Sequence, residues 1–155
     1  MTEEQKFRLK CELAARLPYG VMCNIKEIDG YNLKLVGVGK KYYSLHDGGD
    51  YMPKDYTIDE IIPYLRPMES MTDAEKKEVL EIFQDNNNPR YRVNDYGCIK
   101  SIKDIYGDAL WYDCETMGKW IYWLNSHHFD HTDLIYEGLA LKAPEGMYNF
   151  ERKKE

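Results

Sequence analysis

No stretch of the chain approaches the roughly 18 apolar residues that a membrane-spanning helix requires. Excess positive charge is also missing: 21 Lys and Arg stand against 27 Asp and Glu, a formal net charge of −6. Binding along a phosphate backbone needs a basic footprint, so the balance argues against non-specific nucleic-acid binding. The acidic surplus is too small for a DNA mimic. The cysteines Cys11, Cys23, Cys98 and Cys114 lie too far apart for a metal knuckle or a redox pair. Reduced, buried thiols in a cytoplasmic protein are therefore expected. The acidic start of the chain lacks the apolar core of a signal peptide. Internal repeats, low-complexity tracts and a dividing linker are absent too, so one domain over residues 1–155 is expected.

What is present is the composition of a globular protein, 43% hydrophobic and 31% charged. A domain of this length buries about two-thirds of its unfolded surface, enough for a core without metal or disulfide staples. Tyrosine stands out with 14 copies. Its apolar ring and polar tip suit half-buried positions and binding surfaces.

The first half reads as a helix followed by strands. Thr2 and Gln5 occupy the two positions of a capping box. Leu9, Leu13 and Leu17, with Cys11 and Ala14 beside them, form an amphipathic stripe that Pro18 and Gly20 end. Val21, Cys23 and Ile25 then alternate with Met22 and Asn24, and Tyr31, Leu33 and Leu35 alternate with Asn32 and Lys34. Asp29-Gly30 between these runs predicts the hairpin turn. Lys41 to Leu45 extends the meander, and His46 to Pro53, HDGGDYMP, is a glycine-rich polar loop. Thr57 and Glu60 form a second capping box, and Ile58, Ile61, Ile62 and Leu65 predict a short helix that Pro63 breaks or kinks. Thr72 and Glu75 open a third helix, with Val79, Leu80 and Phe83 as its buried face. Asn86 to Pro89 is loop. Tyr91, Val93 and Cys98 to Ile102 are strand pieces about a turn at Asp95-Tyr96-Gly97.

The stretch from Asp113 to Met147 organises the C-terminal third. Asp113 is placed to cap a helix with Met117, Trp120, Ile121 and Leu124 on one apolar face. Asn125 and Ser126 loosen the chain. Asp130 is placed to cap a second helix, with Phe129 and Leu134 at the staple positions. Gly138 ends it in a left-handed conformation, and Leu139, Leu141 and Ala143 alternate up to Pro144. The class is α+β: an N-terminal helix, an antiparallel hairpin or meander, and several short helices packed on it.

Two polar groups could carry chemistry. His127-His128-Phe129-Asp130-His131 offers three imidazoles and a carboxylate, donors suited to zinc or another divalent ion. On a helix His127 and His131 would share a face. The capping role of Asp130 points the other way, because it splays the three rings, and no metal or cofactor is expected. His46-Asp47 with Asp50 is the second group. If the glycine-rich loop met the histidine turn, His46, Asp47, His127, His128, Asp130 and His131 would form a metal-assisted hydrolytic site. The competing reading of the loop is an Asx-rich turn bonded to its own backbone.

Three weaker features complete the survey. Gly37-Val38-Gly39-Lys40-Lys41 offers N–H groups and lysines to a phosphate, but lacks the spacing and the following helix of a P-loop. Trp111, Tyr112, Trp120, Tyr122 and Trp123 cluster; Trp111 and Trp120 suit the core, while Tyr122 and Trp123 are candidates for a stacking platform or interface. Residues 114–137 suggest a helix–turn–helix, but the second helix carries Asp133 and Glu137 and no Arg or Lys, which removes the DNA reading.

The segment LNSHHFDHTDLIYEGLALKAPEGMY resembles a C-terminal motif of small proteins from phages and mobile elements of gut Bacteroidales. ELAARLPYGVMCNI and IIPYLRPMESMT are similar to further segments of those proteins. The family has no established activity, so the resemblance implies a setting, the bacterial host cytoplasm, and no catalytic residue. The expected function is a non-enzymatic binding protein of phage or mobile-element origin. It would interfere with a host defence by binding a host protein or a small signalling molecule. The expected contact residues are His46, Asp47, Asp50, Tyr51, Tyr122, Trp123, His127 and His128. The alternatives are the hydrolase and a virion or assembly component, which would form a homo-oligomer.

Overall fold

Helix α1 (Glu3–Arg16) begins on the expected capping box: Gln5 N donates to Thr2 Oγ1 at 3.2 Å and Thr2 N to Gln5 Oε1 at 2.9 Å. The computed structural model describes residues 1–26, 28–83, 91–93, 99–101 and 114–148. Leu9 and Leu13 are buried, while Cys11 and Ala14 face solvent. The buried stripe therefore continues to Arg16, one turn beyond Leu13, whose side chain is 1% exposed. A 3-10 turn at Leu17–Tyr19 follows and closes on Gly20 at φ +68°.

The strands are β1 (Met22–Ile25), β2 (Ile28–Val38), β3 (Tyr43–His46), β4 (Lys54–Tyr56), β5 (Ile61–Leu65), β6 (Tyr91–Val93), β7 (Ile99–Ser101) and β8 (Leu141–Lys142). Six form one sheet in the order β4-β3-β2-β1-β5-β8, antiparallel except for β8 beside β5. β6 and β7 pair as a separate hairpin, and the turn expected between them lies outside the described residues.

Two sequence expectations need correction here. Ile25 pairs with Ile28, so the first hairpin reverses between these two residues and Asp29-Gly30 lies inside β2. From Cys23–Leu33 to Ile25–Ile28, β1 advances two residues and β2 five. Asp29-Gly30 thus lies in the stretch of β2 that bulges against β1. The second correction concerns residues 58–65, where a turn at 58–60 leads into β5 in place of a helix. Ile61, Pro63 and Leu65 are buried, with Ile62 and Tyr64 half-buried on the other face. β8 reaches only Tyr64 and Leu65, so Pro63, which has no N–H to give, stands where β5 is the sheet edge. The supposed capping box locks a turn instead: Thr57 N and Oγ1 both donate to Glu60 Oε2 at 2.7 Å.

Helix α2 (Asp73–Phe83) starts on a genuine box, with Glu75 N donating to Thr72 Oγ1 and Thr72 N to Glu75 Oε2. Helix α3 (Cys114–Ser126) packs against it. Asp113, Trp111, Tyr112 and the loop at 86–89 lie outside the described residues. Leu124 is buried as expected, but Ile121 is exposed and Trp123 takes the inward place. No described helix is long and apolar enough to cross a membrane.

Two buried clusters result. One joins α1 to a face of the sheet and includes Leu134, Leu139 and Ala140. The other holds Met71, Val79, Phe83, Leu124 and Phe129, with Met117, Trp120 and Trp123 against it.

Candidate functional site

The histidine turn lies at the junction of the two clusters. Phe129 and Leu134 are both fully buried, but in different clusters, so the expected staple between them does not form. Asp130 is no N-cap either. Its carboxylate accepts from Leu134 N at 2.9 Å and Ile135 N at 2.8 Å, four and five residues on, and residues 134–138 form turns in place of a second helix. Gly138 does adopt φ +71°. Leu139 and Ala140 are both buried, so the expected alternation to Ala143 fails at its start.

Backbone bonds splice the turn onto the end of β5. Arg66 N donates to His128 O, and Asp130 N donates to Arg66 O, each at 2.8 Å. The Arg66 guanidinium lies 4.2 Å from the Phe129 ring centre and forks onto Glu75 at 2.6 and 2.9 Å. Burial alone would raise the Glu75 pKa, but the bonds from Arg66 and Thr72 hold it below the usual range. From α1, Arg16 donates to Phe129 O at 2.7 Å and pairs with Glu12. Trp123 stacks on Phe129, with ring centres 5.7 Å apart. One five-residue turn thus connects α1, β5, α2 and α3.

The imidazoles serve this junction separately. His127 stacks on Trp123 at 4.0 Å. His128, at φ +58°, stacks on Tyr148 at 4.1 Å. A His131 nitrogen lies 2.9 Å from Asn125 Oδ1. The Tyr148 hydroxyl accepts from Met22 N and donates to Tyr64 O, tying β1 to β5. Among the described residues no group of three or more His, Cys, Asp or Glu side chains could hold a metal ion.

Burial, reinforced by the Arg16 charge, pushes the His128 pKa down to about 3. Burial lowers that of His131 as well, against the opposing pull of Glu12. Above about pH 6.5, the free-histidine pKa, folded and unfolded chains are both neutral at these sites. Between there and pH 3 the unfolded chain takes up a proton that folded His128 refuses, so stability falls as pH falls, by about 1.4 kcal/mol per pH unit for this histidine. Urea titrations from pH 7.5 to 4.5 should show this loss. His128→Asn, which tolerates the positive φ, should flatten it.

The glycine-rich loop builds a different kind of site. Gly48 N donates to His46 Nδ1 at 2.9 Å, which leaves the ring proton on Nε2, 2.8 Å from Tyr51 O. Gly49 N donates to Asp47 Oδ1 at 2.9 Å, the expected Asx turn. Beneath the loop is a pocket of about 490 Å³. Ile25, Leu33 and Leu45 from the buried face of the sheet, with Tyr56 beside them, form its apolar side; among the described residues none of α1 or α3 lines it. The loop supplies His46, Asp47, Tyr51 and Met52, and Lys54 of β4 joins them. Tyr51 and Met52 are 80% and 86% exposed, unusual for side chains this large.

Of the expected contact residues, His46, Asp47 and Tyr51 therefore meet at one pocket, and Asp50 does not line it. Trp123, His127 and His128 belong to the buried junction, and Tyr122 is exposed with its ring edge-on to Tyr19 at 5.4 Å. Strands β2 and β1 separate β3, where the loop starts, from β5, where the turn is spliced. Three strand spacings amount to about 14 Å, so the two polar groups do not assemble into the His/Asp site that a hydrolase would need. The apolar lining was missed because its alternating pattern is that of any buried strand. The placement of α1 and of residues 134–140 on that face is a matter of packing that the alternation does not carry.

No family model matches the chain, and neither a curated protein nor a solved structure matches it.

Proposed function

We propose that the protein is a binding module whose ligand site is the pocket under residues 46–53. The observation that supports this is an open, apolar cavity of about 490 Å³ with a few polar groups at its edge, the size and chemistry of small-molecule sites. The bound group is flat and mainly apolar, held against Leu33, Leu45 and Tyr56 and covered by Tyr51 and Met52. His46 supports a non-enzymatic reading, since both of its ring nitrogens are engaged in shaping the loop. The resemblance of three segments to proteins of phages and mobile elements supports a setting in the bacterial cytoplasm. There the module would intercept a small signalling molecule of a host defence.

Titration with a set of small aromatic and heteroaromatic compounds, followed by amide NMR, tests the reading. At least one compound should give saturable shifts at Leu33, Leu45, His46 and Tyr56. The Tyr51→Ala/Met52→Ala variant should bind it about thirtyfold more weakly, if each side chain contributes on the order of 1 kcal/mol, with an unchanged unfolding midpoint. Saturable shifts confined to residues 117–131 would move the site to the histidine turn.

A further inference from the structure

The Gly37–Lys41 run finds a role in the fold. Gly39 N donates to Tyr42 O at 2.8 Å, and a Cβ on Gly39 would sit 2.9 Å from that same oxygen, too close for any other residue without a shift. This tight turn between β2 and β3 sets Lys40 and Lys41 beside the start of α1. There they line a groove of about 420 Å³ with Lys6 and Lys10. Lys6 is compensated by Asp59 at 2.9 Å and Glu3 at 3.5 Å. Lys10 has only the Lys40 carbonyl at 3.4 Å, and neither it, Lys40 nor Lys41 has an acidic partner among the described residues. Three lysines with no acidic partner among the described residues thus line one groove, beside Lys6 and its partners Glu3 and Asp59, on a chain whose net charge is −6; the Lys41 ammonium lies 5.5 Å from the Tyr42 ring centre. Phe7, 67% exposed, adds an aromatic wall.

We propose that this groove binds a phosphate-bearing small molecule, with the phosphate among Lys10, Lys40 and Lys41 and an aromatic body against Phe7. Like charges held together repel, and an anion relieves that repulsion while accepting the hydrogen bonds that the ammonium groups offer. The groove and the pocket under residues 46–53 share no lining residue, although the paired Tyr43 and Tyr56, one in each lining, make them neighbours. The proposal therefore does not depend on the function proposed above.

The test uses three probes at constant ionic strength: inorganic phosphate, adenosine monophosphate and adenosine, each titrated into the full chain and followed by amide NMR. Phosphate and the monophosphate should give saturable shifts at Gly39, Lys40 and Lys41, with the monophosphate tighter. Lys40→Glu/Lys41→Glu should weaken both by at least about tenfold. Phe7→Ala should remove the advantage of the monophosphate and leave phosphate binding unchanged. The Tyr51→Ala/Met52→Ala variant should bind both as the parent does. All the substituted side chains are exposed or at a surface turn, so the variants should fold. Shifts that do not saturate, that persist in the charge-reversed variant, or that adenosine produces as readily as its monophosphate would overturn the proposal.

Discussion

Replacing Phe129 with alanine should lower stability by about 3–5 kcal/mol, the cost of truncating a fully buried aromatic side chain. The size follows from what the ring touches. It is 0% exposed, stacks with Trp123 and lies 4.2 Å beneath the Arg66 guanidinium. Its removal opens a cavity in the cluster that joins α2 to α3 and takes away the surface on which Arg66 rests while pairing with Glu75. A domain has about 5–15 kcal/mol of stability in total, so the variant should stand near the edge of folding. Phe129→Leu, which keeps most of the volume, should lose distinctly less. Urea denaturation at neutral pH reads both. A loss below about 1 kcal/mol for the alanine variant would mean that the turn is peripheral.

Asp130→Ala should cost about 3–5 kcal/mol, through polar groups and not volume. The carboxylate is 7% exposed and accepts from two backbone N–H groups, those of Leu134 and Ile135. Bonds to a charged acceptor are worth about 1.5–3 kcal/mol each, and alanine leaves two donors in the interior with nothing to meet. Asn keeps one acceptor oxygen and should recover about half the loss. If alanine and asparagine were equally mild, water would be reaching these amides and the turn would be open. Denaturation of the three proteins under one condition separates the cases.

Legibility differed between local and non-local features. Two of the three capping boxes formed because a box is closed by residues three apart, within reach of any reader of the chain. The third, Thr57 with Glu60, forms its bonds but locks a turn, because the next residues repeat with period two as well as with helical spacing. Asp130, expected to cap a helix, caps none, although its carboxylate does accept backbone N–H groups. Its partners are further along the chain than a cap's because Phe129 and Leu134 are drawn into different clusters. Arg16 was invisible: a charged residue at the end of an amphipathic helix reads as exposed, and it is buried only because Phe129 O and Glu12 come to it. The loop residues His46, Asp47 and Tyr51 could be named from glycine and polar content, whereas the pocket beneath them is a gap left by packing.

The central claim is that the histidine turn is structural and the glycine-rich loop is the part free to meet a ligand. Residue-resolved native-state hydrogen exchange tests it most directly. The amides of Arg66, Phe129, Asp130, Leu134 and Ile135, each bonded at 2.8 to 3.0 Å, should exchange only through global unfolding, with the free energy obtained from urea. The exposed amides of Gly48 and Gly49, bonded only to side chains within their own loop, should open far more easily. The reverse order, with a turn that opens locally and a loop as protected as the core, would contradict the account.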